Sequence, residues 1–255
     1  MAVLDQFRLE GRVALVTGGN RGIGARAAVA LAEAGADVAL LGRTEPGRTG
    51  AAITALGRRT AWLEADLATA TPADLAAAVS TVVDRLGRLD ILLNNAGVIR
   101  RAPAIEHAVA DWDDVMAVNV DAVFHLSQAA GRVMLAQRSG KIINIASMLA
   151  FQGGIRVPSY TAAKHAVVGL TKALANEWAA AGVNVNAVAP GYIATDNTAP
   201  LRADPDRERS IVERIPAGRW GTPDDLAGAV VFLASDAARY VHAAVLPVDG
   251  GWLAR

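Results

Sequence analysis

The sequence predicts a doubly wound α/β domain on a parallel sheet, and three observations carry that prediction. Short aliphatic and β-branched runs alternate with Ala-rich stretches of helical period along the chain. The runs are apolar throughout rather than alternating in and out, as strands covered by helices on both faces must be. No repeat, low-complexity tract or linker divides the 255 residues, a length that one domain of this class fills.

Seven runs read as strands: 13–16, 37–41, 60–65, 89–93, 141–145, 184–189 and 244–248. Between them the 3.6-residue period marks helices over 23–34, 72–86, 113–137, 159–181 and 223–234. Gly35, Gly87 and Gly182 stand just past three of these segments, where a helix ends most cheaply on a left-handed residue. Strand–helix–strand units of this kind cross over right-handedly and build one parallel sheet. Residues 190–209, rich in Pro, Asp and Arg, break the rhythm before a short helix. An insertion after a late strand falls at the carboxyl edge of the sheet, where ligands bind, so this stretch is expected to be a substrate lid.

Composition narrows the class of function. With 53% hydrophobic and 20% charged residues the chain is not a disordered one. Lys plus Arg and Asp plus Glu both number 25, which leaves no electrostatic footprint for nucleic acid or an anionic membrane. Without cysteine there is no disulfide, thiolate metal site or cysteine nucleophile. Asp5, Arg8, Glu10 and Arg12 interrupt the start of the chain, so no signal peptide is expected, and no 18-residue apolar run suggests a membrane span. The expectation is a soluble, cytoplasmic protein. His107, His125, His165 and His242 show no metal-ligand spacing and read as surface or satisfied helix residues, with no metal expected.

The chemistry begins at Thr17-Gly18-Gly19-Asn20-Arg21-Gly22-Ile23-Gly24, between the first strand and the first helix. Glycines there let the chain turn tightly, approach a pyrophosphate without a Cβ in the way, and seat the helix close to the sheet. The helix N-terminus then offers free N–H groups and the positive end of its dipole to phosphate. An ordinary strand–turn–helix junction is the plainer reading of glycines alone, but their place after strand one favours a dinucleotide. Tyr160 and Lys164 lie four apart on one helical face. A free tyrosine has a pKa near 10, and a neighbouring ammonium is expected to draw it toward the working range of an acid/base. Ser147 ends the fifth strand and offers a hydroxyl for a substrate oxygen.

TGGNRGIG, Asn94-Asn95-Ala96-Gly97 after the fourth strand, Tyr160-x-x-x-Lys164 and Pro190-Gly191 after the sixth resemble, in order and spacing, the motifs of the short-chain dehydrogenase/reductase family. The resemblance covers the whole chain. It implies a Rossmann-like sheet ordered 3-2-1-4-5-6-7, a nicotinamide cofactor, hydride transfer at a hydroxyl or carbonyl carbon, and a homotetramer joined through the long helices, with the Trp252 tail at a second interface. Carried over residue by residue, it makes Asn119, Ser147, Tyr160 and Lys164 catalytic, with Asn119 supporting a proton path to the lysine. Around the cofactor it implies Gly18, Asn20, Arg21, Gly22, Ile23 and Gly24 in the loop. Asp66 and Leu67 stand by the adenine, and Asn94, Ala96 and Gly97 beside the ribose. Pro190, Gly191, Ile193 and Thr195 lie near the nicotinamide, with Tyr160 and Lys164 at its reactive end.

Two questions stay open at this level. The second strand ends Leu41-Gly42-Arg43, with no carboxylate where an NAD enzyme holds the ribose 2′-hydroxyl; Arg43 and Arg21 tilt the balance toward NADP over NAD. For substrate, the stretches at 97–101, 111–116, 141–164, 214–221 and 248–255 resemble the branch of the family that acts on deoxy sugar acids such as 2-deoxy-D-gluconate or 2-keto-3-deoxygluconate. That branch is described as using NAD, so the second strand departs from it. A sugar acid calls for a guanidinium at its carboxylate and polar partners at its hydroxyls. Arg101 and Arg156 are candidates for the first, Gln152, Tyr192 and Asn197 for the second, while Arg100 shares the same edge; subunit contacts or solvent would equally explain the arginines. The rival activities are another reaction of the family, such as a ketoreductase acting on an acyl carrier protein, and a non-catalytic dinucleotide-binding scaffold.

Overall fold

Seven parallel strands form the centre of the molecule, in the order β3-β2-β1-β4-β5-β6-β7 across the sheet. The structure, a computed structural model, describes residues 2–255. The first half runs β1 (Val13–Thr17), α1 (Gly22–Glu33), β2 (Asp37–Gly42), α2 (Gly47–Ala55), β3 (Thr60–Glu64), α3 (Pro72–Leu86) and β4 (Ile91–Asn94). The second half runs α4 (Val109–Met116), α5 (Ala122–Gln137), β5 (Gly140–Ile145), α6 (Pro158–Trp178), β6 (Val183–Pro190), α7 (Ala199–Arg202), α8 (Pro205–Val212), α9 (Pro223–Ala234) and β7 (Val245–Val248). Every strand pair is parallel, so each connection must cross a face of the sheet.

The helices divide between two cores. On one face Leu75, Val79 and Val82 of α3, Leu126 and Ala130 of α5 and Leu174 of α6 cover Leu15, Leu92 and Val185. On the other, Ala27, Ala28 and Leu31 of α1, Ile53 of α2 and Leu226 and Val230 of α9 cover Val16, Leu93 and Val188. Residues adjacent in a strand thus enter opposite cores, which is why the runs lack polar alternation.

Three elements differ from the sequence expectation. The helix α2 is unforeseen, because its segment holds two glycines and buries only Thr49 and Ile53, too few for a visible stripe. The helix expected over 113–137 starts earlier and divides into α4, a π turn (Ala117–Asp121) and α5. The extra residue of such a turn is invisible to a 3.6-residue template. The strand expected at 89–93 is β4 at Ile91–Asn94, since Asp90 is committed to arginine partners. Among the described residues, no helix is long and apolar enough to cross a membrane.

Candidate active site

At the carboxyl edge of the sheet, β1 hands over to α1 through two left-handed glycines, Gly18 (φ +65°) and Gly22 (φ +55°). A Cβ at Gly24 would stand 2.3 Å from both the Gly18 carbonyl oxygen and Asn95 Nδ2, so only glycine fits. The turn is stitched to the end of β4. The Thr17 hydroxyl accepts from the Asn95 and Ala96 N–H groups at 3.0 and 2.9 Å, and Asn95 Nδ2 donates to the Thr17 carbonyl at 2.9 Å. Arg21 caps α1 with no side-chain hydrogen bond, so the first-turn N–H groups remain available to an anion.

These elements line one cleft of about 490 Å³. Gly18, Asn20, Arg21, Gly22, Ile23 and Gly24 form its floor. Arg43, Asp66 and Leu67 stand at one end, and Ala96, Gly97, Tyr160, Lys164, Thr195 and Asn197 at the other. Two carboxylates face the arginines across the mouth. Arg21 Nη1 lies 3.2 Å from Asp196, and Arg43 Nη1 lies 3.9 Å from Asp66, whose other oxygen accepts from the Ala68 N–H.

Four residues expected at the cofactor do not line the cleft. Asn94 is the last residue of β4, and its side chain points into the α5 face, donating to Ser127 Oγ and Asn144 Oδ1. Asn95, one position on, faces the cleft in its place. Pro190 ends the buried β6; at Gly191 a Cβ would come within 2.6 Å of Asp249 Cα, so that glycine serves chain packing. Ile193 is buried in the α1–α9 core, its backbone bridged to Gly221.

Tyr160 and Lys164 sit one turn apart on α6, with the ammonium 5.5 Å from the centre of the phenol ring. Lys164 is 4% exposed and donates to the Ile145 carbonyl at 2.6 Å. Burial lowers its pKa to about 8. Burial also pushes the Tyr160 phenol above its ordinary value, against the opposing pull of the Ser147 hydroxyl and the Arg101 charge. The sequence expectation counts the ammonium together with the positive ring of a bound nicotinamide; in the free site desolvation outweighs the charges present, and the tyrosine is protonated. Asn119 stands in the π turn, buried, its amide spent on Val98: Oδ1 accepts from Val98 N–H and Nδ2 donates to Val98 O, both at 2.9 Å. Its side chain therefore fixes the segment after the Asn-Asn-Ala-Gly motif and leaves the backbone of Asn119 as the part of the residue free of that contact.

The substrate candidates separate by geometry. Arg101 acts on Tyr160 and donates to the Asn197 carbonyl at 3.2 Å. Arg101 itself stands outside the cleft lining; Arg100 lies within it, but Asp114 holds its guanidinium at 2.7 Å and Asp111 stands 3.7 Å away. Arg156 is exposed and left-handed (φ +63°), outside the cleft, as is Gln152. Tyr192 packs edge-on against Trp220 and Trp252, with Arg214 stacked on Trp252 at 3.9 Å, so its ring is committed to packing rather than to the cleft. Sequence reasoning missed Thr17, Asn95 and Asp196; the first two stand inside the quoted motifs, and strand parity at 94 and 95 was the usable signal.

Comparison with known proteins agrees with this geometry. A family model described as enoyl-(acyl carrier protein) reductase matches residues 18–253. The 2-dehydro-3-deoxy-D-gluconate 5-dehydrogenase of Dickeya dadantii is 55% identical over 254 residues, 99% of this chain and 100% of that protein. A candidate 2-deoxy-D-gluconate 3-dehydrogenase from Agrobacterium tumefaciens, solved with bound NADP, is 57% identical. It superposes with a TM-score of 0.91 over 98% of this chain and 99% of the other. A gluconate 5-dehydrogenase from Burkholderia cenocepacia, solved with NADP and tartrate, is 41% identical with a TM-score of 0.95 over 100% of both chains. With its sheet order, glycine turn and Tyr–Lys helix in place, this chain belongs to the short-chain dehydrogenase/reductase family.

Proposed function

We propose that this chain is an NAD(P)-dependent dehydrogenase that interconverts a hydroxyl and a keto group on a deoxy sugar acid of the 2-keto-3-deoxygluconate or 2-deoxy-D-gluconate type. The observation that carries the reading is that Tyr160 and Lys164 line the same cleft as the glycine turn, with the Ser147 hydroxyl and the Arg101 charge both bearing on the Tyr160 phenol. The named activities of whole-length relatives at 55% and 57% identity support the substrate class.

The cleft fits a dinucleotide on its own chemistry: it has no room for a Cβ at Gly24 and an uncapped helix N-terminus on its floor. The Gly18–Ile23 backbone and the first turn of α1 would hold the pyrophosphate, Asp66 and Leu67 the adenine, and Thr195 the nicotinamide carboxamide. Gly42 leaves no carboxylate to repel a 2′-phosphate, so Arg43 and Arg21 favour NADP. When bound, NAD(P) supplies the hydride acceptor or donor. Ser147 hydrogen-bonds the substrate oxygen and Tyr160 exchanges the proton there, giving it up as the keto group is reduced and taking it back in oxidation. The protonated Tyr160 of the free site suits the reductive direction; oxidation needs added positive charge beside the phenol to draw its proton off. That charge would come with the nicotinamide ring of a bound oxidised cofactor, beside the Lys164 ammonium that the Ile145 carbonyl fixes. Arg101 holds the sugar-acid carboxylate, and residues 190–209, with the short helices α7 and α8, cover the substrate as a lid.

The protein acts in the cytoplasm as a homotetramer assembled through α4, α5 and α6; the exposed Val109 and Trp112 of α4, with Ile105 before it, are apolar surface suited to such an interface. The test is the initial rate of 2-keto-3-deoxygluconate oxidation with NAD and with NADP, beside Tyr160→Phe. Turnover that the variant loses supports substrate and acid/base together. A protein that binds either cofactor but turns over no sugar acid sinks the substrate assignment.

A further inference from the structure

The segment between β4 and α4 forms one wall of the substrate end of the cleft and carries Arg100 and Arg101. It has no regular secondary structure beyond a single 3₁₀ turn (Ala104–Glu106), so its position depends on what grips it. Besides the pairing of Arg100 with α4 and the bond from Arg101 to the Asn197 carbonyl, three contacts grip it along its length. At its start Asn119 clamps Val98 through two hydrogen bonds. In the middle the Ala102 N–H donates to the carbonyl of Arg156 at 3.1 Å, and Arg156 holds a left-handed backbone that a non-glycine residue adopts only under constraint. At its end His107 Nε2 meets Ser159 Oγ at 2.9 Å.

The last grip is the one aimed at the chemistry. Ser159 is fully buried, immediately precedes Tyr160 and stands in the first turn of α6. That turn has no side-chain cap at Val157; Pro158 and the Thr161 N–H bond to the Val157 carbonyl hold its backbone, but neither engages the Ser159 side chain. Among the described residues His107 is the hydrogen-bond partner of the Ser159 hydroxyl, and a buried hydroxyl is costly to leave unpaired. His107 Nδ1 is itself buried and unpartnered, so the contact with Ser159 is the ring's one hydrogen bond among the described residues.

The geometry points to His107 as a positioning residue: through Ser159 it holds the arginine-bearing wall against the head of α6, and so sets Arg101 and Tyr160 in register. The inference rests on the proposed acid/base role of Tyr160. Neither motif nor spacing marks His107, because it lies 52 residues from its partner.

The experiment compares His107→Ala, His107→Gln, Ser159→Ala and the double variant His107→Ala/Ser159→Ala. Three readouts are taken: melting temperature, kcat and KM for 2-keto-3-deoxygluconate beside the NADP Kd, and the Tyr160 titration followed by tyrosinate absorbance. The chain has three tyrosines, so subtracting Tyr160→Phe isolates the phenol of interest. Loss of the bond is expected to lower kcat/KM about tenfold while the NADP Kd stays within about twofold, and to move the Tyr160 titration down toward its ordinary value as water enters. His107→Gln, whose amide can donate to or accept from the serine hydroxyl near the place of Nε2, recovers most of the loss. The double variant is no worse than either single one, since both remove the same contact. Wild-type kinetics and titration in folded His107→Ala or Ser159→Ala would overturn the inference, and so would losses that multiply in the double variant. If the wild-type protein turns over no sugar acid, the functional reading fails by itself and the tyrosine titration still decides the role of His107.

Discussion

The two edges of the same sheet use the same ionic residues to opposite ends. At the amino edge, Asp90 is 2% exposed; Arg88 grips it through two bonds of 2.7 Å, the Val13 N–H donates at 2.9 Å and Arg12 approaches at 3.4 Å. Every lone pair of that carboxylate is answered from within the protein. At the carboxyl edge, Arg21 meets Asp196 and Arg43 meets Asp66 through single contacts, with both arginines about two-thirds exposed. Exposed pairs of this kind contribute about 0–1 kcal/mol and exchange readily for a better partner, whereas breaking a buried, saturated pair costs several. What separates a structural charge from a ligand-binding one here is therefore how completely the fold has already satisfied it.

The contrast can be broken most sharply at Tyr160. Tyr160→Phe is expected to cut kcat by about 10²–10⁴-fold in a steady-state assay, with an unchanged melting curve, because the hydroxyl serves chemistry and not packing. Asp90→Ala should do the reverse. Chemical denaturation is expected to show a loss of about 1–3 kcal/mol, chiefly from the Val13 N–H left without its acceptor since both arginines partly reach solvent, with normal turnover per folded molecule. Arg101→Gln comes next: a KM for the sugar acid raised about 10–100-fold at unchanged cofactor affinity, as follows from losing one charge-assisted hydrogen bond. A raised cofactor KM instead would assign Arg101 to the dinucleotide. Arg43→Glu should shift the NADP-to-NAD preference about tenfold toward NAD, read from the ratio of kcat/KM values, without measurable loss of stability.

The smallest effect concerns two lysines whose pKa values burial lowers to about 8, one at each edge. Lys141 donates to Asn184 at the amino edge, far from the cleft. A lysine depressed in the fold and ordinary when unfolded binds fewer protons folded than unfolded between about pH 8 and 10.5. Stability from this group therefore rises with pH across that window and has no slope below it. Melting temperatures from pH 7 to 10 should rise less in Lys141→Met than in the wild type, while the rate profile, expected to follow the proposed Tyr160–Lys164 pair, stays in place. A rate profile that moved with Lys141→Met would dissolve the distinction between the edges.

Local pattern by itself determined most of the scaffold and the heart of the site. Apolar runs bounded by glycines located the strands, the glycine turn announced a phosphate-binding helix end, and a four-residue spacing put Tyr160 and Lys164 on one face. These features are legible because each depends on neighbours within a turn or a strand. Tertiary structure alone decided the rest. Whether Asn94 or Asn95 faces the cleft depends on where β4 ends, and the π turn that aims Asn119 at Val98 adds a residue no periodic template counts. Arg101 rather than Arg156 bears on the Tyr160 phenol, and the Ala102 bond to the Arg156 carbonyl and the His107–Ser159 contact tie the segment to the head of α6, none of which sequence spacing displays. The direction of the Tyr160 pKa followed suit: the sequence displays the charges around the phenol, but the desolvation that outweighs them exists only once the chain has closed around it.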